Sequence, residues 1–453
     1  MSRCPFRAVK RQLLAVLLLT AAAAHGRSLV GFNFSPDHAD FRYRAGEEAV
    51  FTVTATNGAG ETVRNGHCRV VVDNYGGRTV AVYKQIDFST NNPFTVRGRL
   101  TEPGFLRVRT LGHDSNGVWF GRACAVGYEP EKIRPASPRP DDFDAFWEGA
   151  IADFDRRVPC DVKLEKDEFA SQGSHDCYRI TASTLPAGRV VRGQISVPKE
   201  DGPWPVLMNV PGAGSGSWGY IRLNRRIYMT MNVLDYPHVP AKSEVKELYA
   251  AQNIAWGSKT GCGNTWYFEG DLSKGREDYF YYGAILGINR VVDWLARQPF
   301  VDRRDFRYQG QSQGGAFGII LAALNKNLTR AQIGQPALTD LSGYLADRRQ
   351  SGWPMLPEKF RSKPCAENVL RTIPYFDCAH FAPRIRIPTR WFVGYIDELC
   401  PPQAVWAGYN SLPDNSDTKM LEFARLGHGI PAGLYGAAVK EVEASWGSRA
   451  SGK

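Results

Sequence analysis

Two hydrophobic patterns divide the chain, and the first covers residues 27–128. Apolar and polar side chains alternate in short runs, as at residues 50–55, which is typical of half-buried β-strands. Turn residues such as Asn57-Gly58 and Pro103-Gly104 separate the runs. Strands at this spacing predict an all-β domain, an immunoglobulin-like sandwich. The other runs are Cys68–Val72, Thr79–Tyr83, Phe94–Leu100 and Phe105–Leu111.

From residue 141 to about residue 450, apolar runs alternate with stretches of helical periodicity. Four prolines within residues 129–140 predict a stiff linker before this part, and Pro140-Asp141-Asp142 marks the start of its first helix. The alternation predicts a mostly parallel sheet with helices on both faces. Residues 239–277 fit neither pattern and are interpreted as an insertion near the functional site. The predicted strands are Val206–Val210, Tyr228–Leu234, Phe306–Gln309, Ala331–Gly334, Arg390–Tyr395 and Lys419–Ala424, and the predicted helices are Tyr279–Gln298, Gln313–Asn325, Ala404–Leu412 and Ala432–Trp446.

Residues 1–26 have the pattern of a secretory signal peptide. Basic residues within the first 11 positions precede an apolar stretch from Leu13 to Ala24. A membrane anchor is the alternative, but this stretch is shorter than the roughly 20 residues that a spanning helix needs. No later apolar stretch is long enough to cross a bilayer. The sequence therefore predicts a secreted or periplasmic protein without a membrane span.

Composition narrows the classes of partner and cofactor. Hydrophobic residues make up 43% and charged residues 23% of the 453-residue chain, as in globular proteins. The formal net charge is +10, but lysine and arginine are scattered, which favours a solvated basic surface over nucleic-acid binding. The nine cysteines lack metal-site spacing, so neither a metal nor another cofactor is expected. An oxidising compartment permits disulfides, whose pairing the sequence does not fix.

A candidate nucleophile lies in Gly310–Gly314, which reads G-Q-S-Q-G and matches the G-x-S-x-G nucleophile elbow. The serine of an elbow occupies a strained turn between a strand and a helix, and the glycines relieve crowding around it. The motif alone is common by chance. Here, however, strand-like Phe306–Tyr308 precedes it and a helix of small residues follows. This context predicts Ser312 as the nucleophile, with the helix N-terminus directed at the reacting oxygen.

A serine hydroxyl needs a general base, and α/β-hydrolases place serine, acid and histidine in that order along the chain. His380 and His428 are the histidines downstream of Ser312. His428 follows the last strand-like run, at the edge where open α/β sheets bind ligands, whereas His380 lies in a probable helix. His428 is therefore the predicted base. Asp397 ends the preceding strand and is the predicted acid, whereas the adjacent Glu398 is expected to face solvent.

Two backbone N–H groups are expected to bind the oxyanion that forms during acyl transfer. One should belong to the residue after the nucleophile, Gln313. The loop Pro211–Gly214 follows an earlier strand and suits the second donor, which is assigned to Ala213. A plain glycine-rich turn is the alternative for this loop. A phosphate-binding loop is excluded because no G-K-[ST] follows.

With these residues placed, the second part of the chain resembles the acetyl xylan esterase and cephalosporin-C deacetylase family over roughly residues 138–446. The resemblance rests on the ordered segments Tyr375–Pro388, Gly394–Pro402 and Ala407–Asn410. It places the family's triad aspartate at Asp397, and the Ser-Gln-Gly that begins at residue 312 matches the family's nucleophile motif. The chain departs from the family in its Pro-Gly-Ala oxyanion loop, in the glycine after its histidine, and in the added β domain.

The resemblance implies an α/β-hydrolase that removes small acyl groups, above all acetyl, from carbohydrates such as acetylated xylan or xylo-oligosaccharides. It also makes a homo-oligomer possible. A peptidase or thioesterase on the same fold is one alternative, and a non-catalytic carbohydrate-binding protein is another. Residues 27–128 show no catalytic cluster. They are therefore interpreted as a docking module whose removal leaves small-ester hydrolysis intact, with capping of the cleft as the alternative.

Short acyl chains should be strongly preferred, because the region after Ala213 lacks an obvious lipid-binding stretch and the resembled family acts on acetyl groups. We expect a spectrophotometric assay with 4-nitrophenyl esters to show faster release from the acetyl ester than from the octanoyl ester. Faster turnover of the octanoyl ester would favour a lipase or a thioesterase instead.

Overall fold

The computed structural model describes residues 30–75, 79–114, 116–214, 219–236, 242–257, 266–346, 350–414 and 416–431, with residues 434 and 440. The predicted signal peptide and most of the predicted helix Ala432–Trp446 lie outside these residues. Within them, an all-β region precedes an α/β region. No helix among the described residues combines the length and the apolar character that crossing a membrane requires.

The N-terminal region consists of two β-sheets that enclose one apolar core. Its strands are β1 (Gly31–Pro36), β2 (Arg42–Tyr43), β3 (Glu48–Thr56), β4 (His67–Asp73), β5 (Thr79–Asp87), β6 (Phe94–Arg99), β7 (Gly104–His113) and β8 (Trp119–Tyr128). The three-stranded sheet has the order β1-β3-β6 and the five-stranded sheet the order β2-β8-β7-β4-β5. Alternate side chains such as Phe51 and Val72 are fully buried between them. The sheets agree with an all-β domain, and its immunoglobulin-like type stays a prediction.

Residues 129–140 are fixed against the α/β region by hydrogen bonds. The Asn410 side-chain amide donates to the carbonyl oxygens of Pro130 and Ile133, at 2.8 and 2.9 Å. Further along, the Ala136 N–H donates to a carboxylate oxygen of Asp340 at 2.7 Å. These bonds hold the segment along its length, so it sets the position of the β domain on the rest of the chain.

The α/β region is organised around one nine-stranded sheet with the order β17-β16-β15-β14-β12-β13-β11-β10-β9. The strands from β12 to β17 pair in parallel, and β9, β10 and β11 form an antiparallel extension beside β13. The strands are β9 (Lys163–Lys166), β10 (His175–Thr184), β11 (Arg189–Pro198), β12 (Trp204–Asn209), β13 (Ile227–Asn232), β14 (Val301–Gln311), β15 (Arg330–Gly334), β16 (Thr389–Gly394) and β17 (Thr418–Phe423). The helices are α1 (Phe143–Arg157), α2 (Lys242–Gly257), α3 (Phe280–Ala296), α4 (Gln313–Leu324), α5 (Leu356–Phe360), α6 (Ala366–Thr372), α7 (Cys378–Phe381) and α8 (Pro402–Tyr409).

The mostly parallel sheet confirms the predicted α/β class, and the six predicted strands are β12 to β17 with shifted ends. Three of the predicted helices are α3, α4 and α8. Helix α2 lies within the segment at 239–277 that was interpreted as an insertion. The antiparallel extension was not predicted, because strands such as β9 (K-L-E-K) carry too few apolar residues to give a strand pattern.

Two aromatic residues of the β domain, Tyr75 and Phe105, are buried in the core of the α/β region. The Phe105 ring meets the Tyr395 ring edge-on, with centroids 4.9 Å apart. The buried Tyr75 hydroxyl donates to the Tyr395 carbonyl oxygen, and the Gln350 N–H donates to the Tyr75 carbonyl oxygen at 2.8 Å. The domain boundary is therefore closed by shared packing and by hydrogen bonds.

Arg107 of strand β7 joins the two domains electrostatically. Its guanidinium pairs with Asp73 at 2.9 Å and with Glu398 of the α/β region at 2.8 Å, and it lies 4.1 Å above the Tyr75 ring. The Arg107 and Asp73 side chains are only 10% and 4% exposed. Removing residues 27–135 would uncover Tyr395 and leave Glu398 without this cation. These contacts attach the β domain firmly to the α/β region, and its role as a docking module or as a cap stays a prediction.

The described cysteines include both free thiols and one that is disulfide-bonded. Cys365 is in a disulfide. The next cysteine along the chain, Cys378, is a buried free thiol, so these two cysteines do not pair with each other. The other free thiols are Cys68, Cys124, Cys160, Cys177 and Cys400. Burial raises the pKa of Cys68 and that of Cys124 to about 12, which keeps both thiols protonated.

Replacing Arg107 with alanine should destabilise the folded protein by about 2–3 kcal/mol. Breaking a buried ion pair costs about 3–5 kcal/mol, and Arg109 would still pair with Asp73, at 2.7 Å, and reduce that cost. Urea unfolding followed by circular dichroism measures the change. Arg97→Ala is the matched control, because the exposed Arg97–Glu48 pair should contribute less than about 1 kcal/mol. Equal losses in the two variants would contradict a buried electrostatic link between the domains.

Candidate active site

The candidate site lies where the strand order of the large sheet reverses. Strand β12 pairs with β13 on one side and with β14 on the other. Open α/β sheets bind ligands outside the carboxyl ends of their strands at such a point. The loop Pro211–Gly214 follows β12 and Ser312 follows β14. The two segments meet there, since a methyl group placed on Gly212 would lie 3.7 Å from Ser312 Cβ.

Ser312 lies between β14 and α4 with φ 59° and ψ −123°, a conformation that L side chains rarely adopt. Its N–H donates to the Gly334 carbonyl oxygen at 2.9 Å, and its own carbonyl oxygen accepts from the Ala337 N–H at 3.0 Å. The turn is tight, since a side chain on Gly314 would come within 2.0 Å of the Val210 carbonyl oxygen. The motif's glycine is therefore required by the close approach of helix α4 to strand β12.

Asp397 is fully buried and accepts four hydrogen bonds. Its Oδ1 accepts from the backbone N–H groups of Leu399 and Cys400, both at 2.9 Å. Its Oδ2 accepts from Gln335 Nε2 at 3.0 Å and from His428 Nδ1 at 2.8 Å. An ionised carboxylate only accepts, so Nδ1 of His428 carries the ring proton and Nε2 is left as an acceptor.

The Cys400 thiol connects Ser312 to this pair. Its sulfur, a carboxylate oxygen of Asp397 and a ring nitrogen of His428 lie within 4.8 Å of one another, and the Ser312 side chain lies near the thiol. Burial and the nearby Asp397 charge raise the pKa of Cys400 well above its usual range. The thiol is therefore neutral, and a neutral thiol is a poor metal ligand. Serine, thiol, imidazole and carboxylate form one contiguous group.

Gln335, which the sequence analysis missed, ties the acid to the loop that carries the histidine. Its Nε2 donates to Asp397 and to the Gly427 carbonyl oxygen, the latter at 2.7 Å. Its Oε1 accepts from the Gly429 N–H at 2.9 Å and from Gln311 Nε2 at 2.8 Å. Gln335 directly follows strand β15, and the strand-end rule that selected Asp397 could have selected it as well.

The side chain of Gln313 connects helix α4 to the loop after β12. Its Oε1 accepts from the hydroxyls of Tyr267 and Tyr281 at 2.6 and 2.7 Å, and its Nε2 donates to the Pro211 carbonyl oxygen at 3.1 Å. Burial raises the pKa of both tyrosines well above their usual range, so they stay neutral donors. The Gln313 N–H is the first of α4 and has no acceptor within the helix. Ala213 is exposed in the adjoining loop.

His380 and Glu398, the alternatives for the base and the acid, interact with other groups. His380 is buried, with Nδ1 2.7 Å from the Pro374 carbonyl oxygen and Nε2 3.2 Å from that of Ser137. Glu398 pairs with Arg107 of the β domain, and its side chain is 64% exposed. The structure thus joins His428 to Asp397 and places Ser312 near the adjoining Cys400 thiol, whereas His380 bonds elsewhere.

Two solved structures share the fold of the α/β region. Acetyl xylan esterase 1 from a Thermoanaerobacterium species is 22% identical, with a TM-score of 0.57 over 69% of this chain and 96% of that protein. An acetyl xylan esterase from a Paenibacillus species is also 22% identical, with a TM-score of 0.56 over 70% of this chain and 98% of that protein. At this identity the likeness shows an α/β-hydrolase fold.

Sequence comparison gives the family. The chain is 28% identical over 413 residues to the acetyl esterase Axe7A of Xylanibacter ruminicola, a match that covers 83% of this chain and 82% of that protein. This share exceeds the part of the chain after residue 128, so the match reaches into the β domain. Residues 129–429 match the family model for acetyl xylan esterase (AXE1). The chain therefore belongs to the acetyl xylan esterase family and is a carboxylic ester hydrolase.

Proposed function

We propose that this esterase removes acetyl, or similarly small acyl, groups from carbohydrates such as acetylated xylan or xylo-oligosaccharides, with Ser312, His428 and Asp397 as its triad. The observation that supports the triad best is the 2.8 Å bond from His428 to the buried Asp397, beside the strained Ser312 turn. The acetyl group and the carbohydrate are proposed from the names of the family and of its relatives.

The proposed reaction proceeds through an acyl-enzyme. The Ser312 hydroxyl oxygen attacks the ester carbonyl carbon while Nε2 of His428 takes its proton. The backbone N–H groups of Ala213 and Gln313 hold the resulting oxyanion. The tetrahedral intermediate collapses, and the sugar hydroxyl leaves with the proton from His428. Water then attacks the acetyl-serine with the same proton transfers, which releases acetate and restores Ser312.

Asp397 acts through His428 in this proposal. It holds the proton on Nδ1, turns Nε2 towards Ser312, and stabilises the imidazolium that forms when the serine proton arrives. Among the described residues, Nε2 of His428 has no hydrogen-bond partner, and the ring lines the open cleft at the domain boundary. The nitrogen that must take the proton is therefore available.

We also propose that the enzyme is secreted or periplasmic. Residues 1–26 resemble a signal peptide, and the proposed plant-type polymers are substrates found outside the cell. The homo-oligomer stays a prediction.

Ser312→Ala should reduce acetate release from 4-nitrophenyl acetate by several orders of magnitude, since triad residues act as a unit. His428→Ala should be nearly as damaging. His380→Gln is the control, and it should keep most of the activity per folded molecule because His380 bonds only to backbone carbonyl groups. Steady-state kinetics on protein with an unchanged circular dichroism spectrum measures these effects.

Two outcomes would contradict the assignment of these roles. Ser312→Ala that keeps more than a few per cent of the rate would exclude Ser312 as the nucleophile. A His380 variant that is folded and inactive, beside an active His428→Ala variant, would exclude His428 as the base.

Gln335→Met should lower kcat about 10- to 100-fold with little change in KM for a small ester. Methionine keeps the volume of glutamine but loses its bonds to Asp397 and to the histidine loop, and small misplacements of catalytic groups cost rates of this order. Gln298→Met is the matched control, because that side chain bonds only to the Trp294 carbonyl oxygen, near the end of α3 and before β14 begins. An unchanged kcat in Gln335→Met would show that Asp397 and His428 stay aligned without it.

A further inference from the structure

Beside the packed part of the domain boundary lies a cleft of about 900 Å³ that is lined by residues of both domains, including His428. Its α/β side includes His428, Leu399 and Arg425, and its β-domain side includes Trp119 and Arg109. Small-ligand sites usually measure about 300–1,000 Å³. An acetyl group fills a small part of such a volume, so the cleft has room for the group to which the acetyl is attached.

The β-domain side of the cleft includes one face of the hairpin formed by β7 and β8, together with Phe32 and Phe34 of β1. Residues that lie opposite each other in antiparallel strands project from the same face. The pair of Arg107 with Ala125 is buried against the α/β region. The face of the β7–β8 hairpin that packs on the α/β region at this pair therefore continues along both strands into the cleft. The next pairs are Arg109 with Ala123, Leu111 with Gly121, and His113 with Trp119.

Trp119 gives this face a flat apolar surface. Its side chain is 60% exposed, and its indole lies across Gly121, where an added Cβ would come within 2.4 Å of the ring. A glycine at this position lets the indole lie flat on the strand. The outer face of the ring is therefore open to the cleft.

The cleft combines this exposed ring with polar groups. The charged residues Arg109, Arg122, Arg425 and Glu398 line it. A sugar ring has C–H groups that pack on an aromatic face, and hydroxyls around its rim that hydrogen-bond to guanidinium and carboxylate groups. A long acyl chain would gain from the indole but would leave these charges unsolvated. The chemistry of the walls therefore fits a carbohydrate.

We propose that this hairpin face is the subsite for the sugar that carries the ester, with Trp119 as its stacking platform. The inference rests on the proposed function, in which Ser312 and His428 handle the acyl group, and His428 lines the same cleft. The β domain then holds the leaving alcohol, and the α/β region performs the acyl transfer. Trp119 determines substrate affinity without touching the reacting atoms.

Trp119→Ala should lower kcat/KM for an acetylated xylo-oligosaccharide about tenfold, mostly through KM, because stacking is equally strong before and during the reaction. The rate on 4-nitrophenyl acetate should stay within twofold of the unsubstituted enzyme. Trp119→Phe should recover most of the loss. Phe169→Ala is the control, because this phenylalanine is 84% exposed and does not line the cleft.

Equal losses on the two substrates would show that Trp119 has a structural role only, and no loss on the oligosaccharide would overturn the subsite.

A second measurement separates this inference from the proposed function. Calorimetry of full-length Ser312→Ala with a deacetylated xylo-oligosaccharide should detect binding that Trp119→Ala abolishes. Binding that survives Trp119→Ala also overturns the subsite. If Ser312→Ala keeps its esterase activity while Trp119 still controls binding, the triad is wrong and the subsite stands.

Discussion

The burial of one carboxylate sets the geometry of this protein. Asp397 is excluded from solvent and would be costly to ionise without partners, yet it receives four donors. Two come from its own turn, one from Gln335 after strand β15, and one from His428 after strand β17. The hydrogen bonds to this carboxylate therefore hold together the segments that follow three neighbouring parallel strands. The next strand, β14, adds Ser312 at the same edge.

The segment that carries Asp397 is held from the other side by the β domain. Tyr75 and Phe105 pack on Tyr395, two residues before the aspartate, and Arg107 pairs with the residue after it. The position of the acid thus depends on the docking of a domain that contributes none of the proposed catalytic groups. The contacts that attach the β domain and those that position the acid belong to the same few residues.

Sequence patterns selected Ser312, Asp397 and His428 as candidates because each follows an apolar strand run, and the ends of parallel strands converge. The same patterns predicted the parallel half of the sheet. Gln335 was missed because a single glutamine carries no motif, although it also follows a strand. The contacts across the domain boundary were missed for a different reason. Arg107 and Glu398 are far apart along the chain, and contacts between distant segments leave no periodic signal.

The proline-rich segment shows how much a local pattern leaves open about domain organisation. Prolines limit the backbone conformations of residues 129–140, but a stiff segment separates two domains only when nothing binds it. Here Asn410 and Asp340 bind it along its length. A stiff segment fixed in this way holds the hairpin of β7 and β8 over the carboxyl edge of the sheet. A binding surface that is held in place before the ligand arrives loses less conformational entropy when an extended ligand binds.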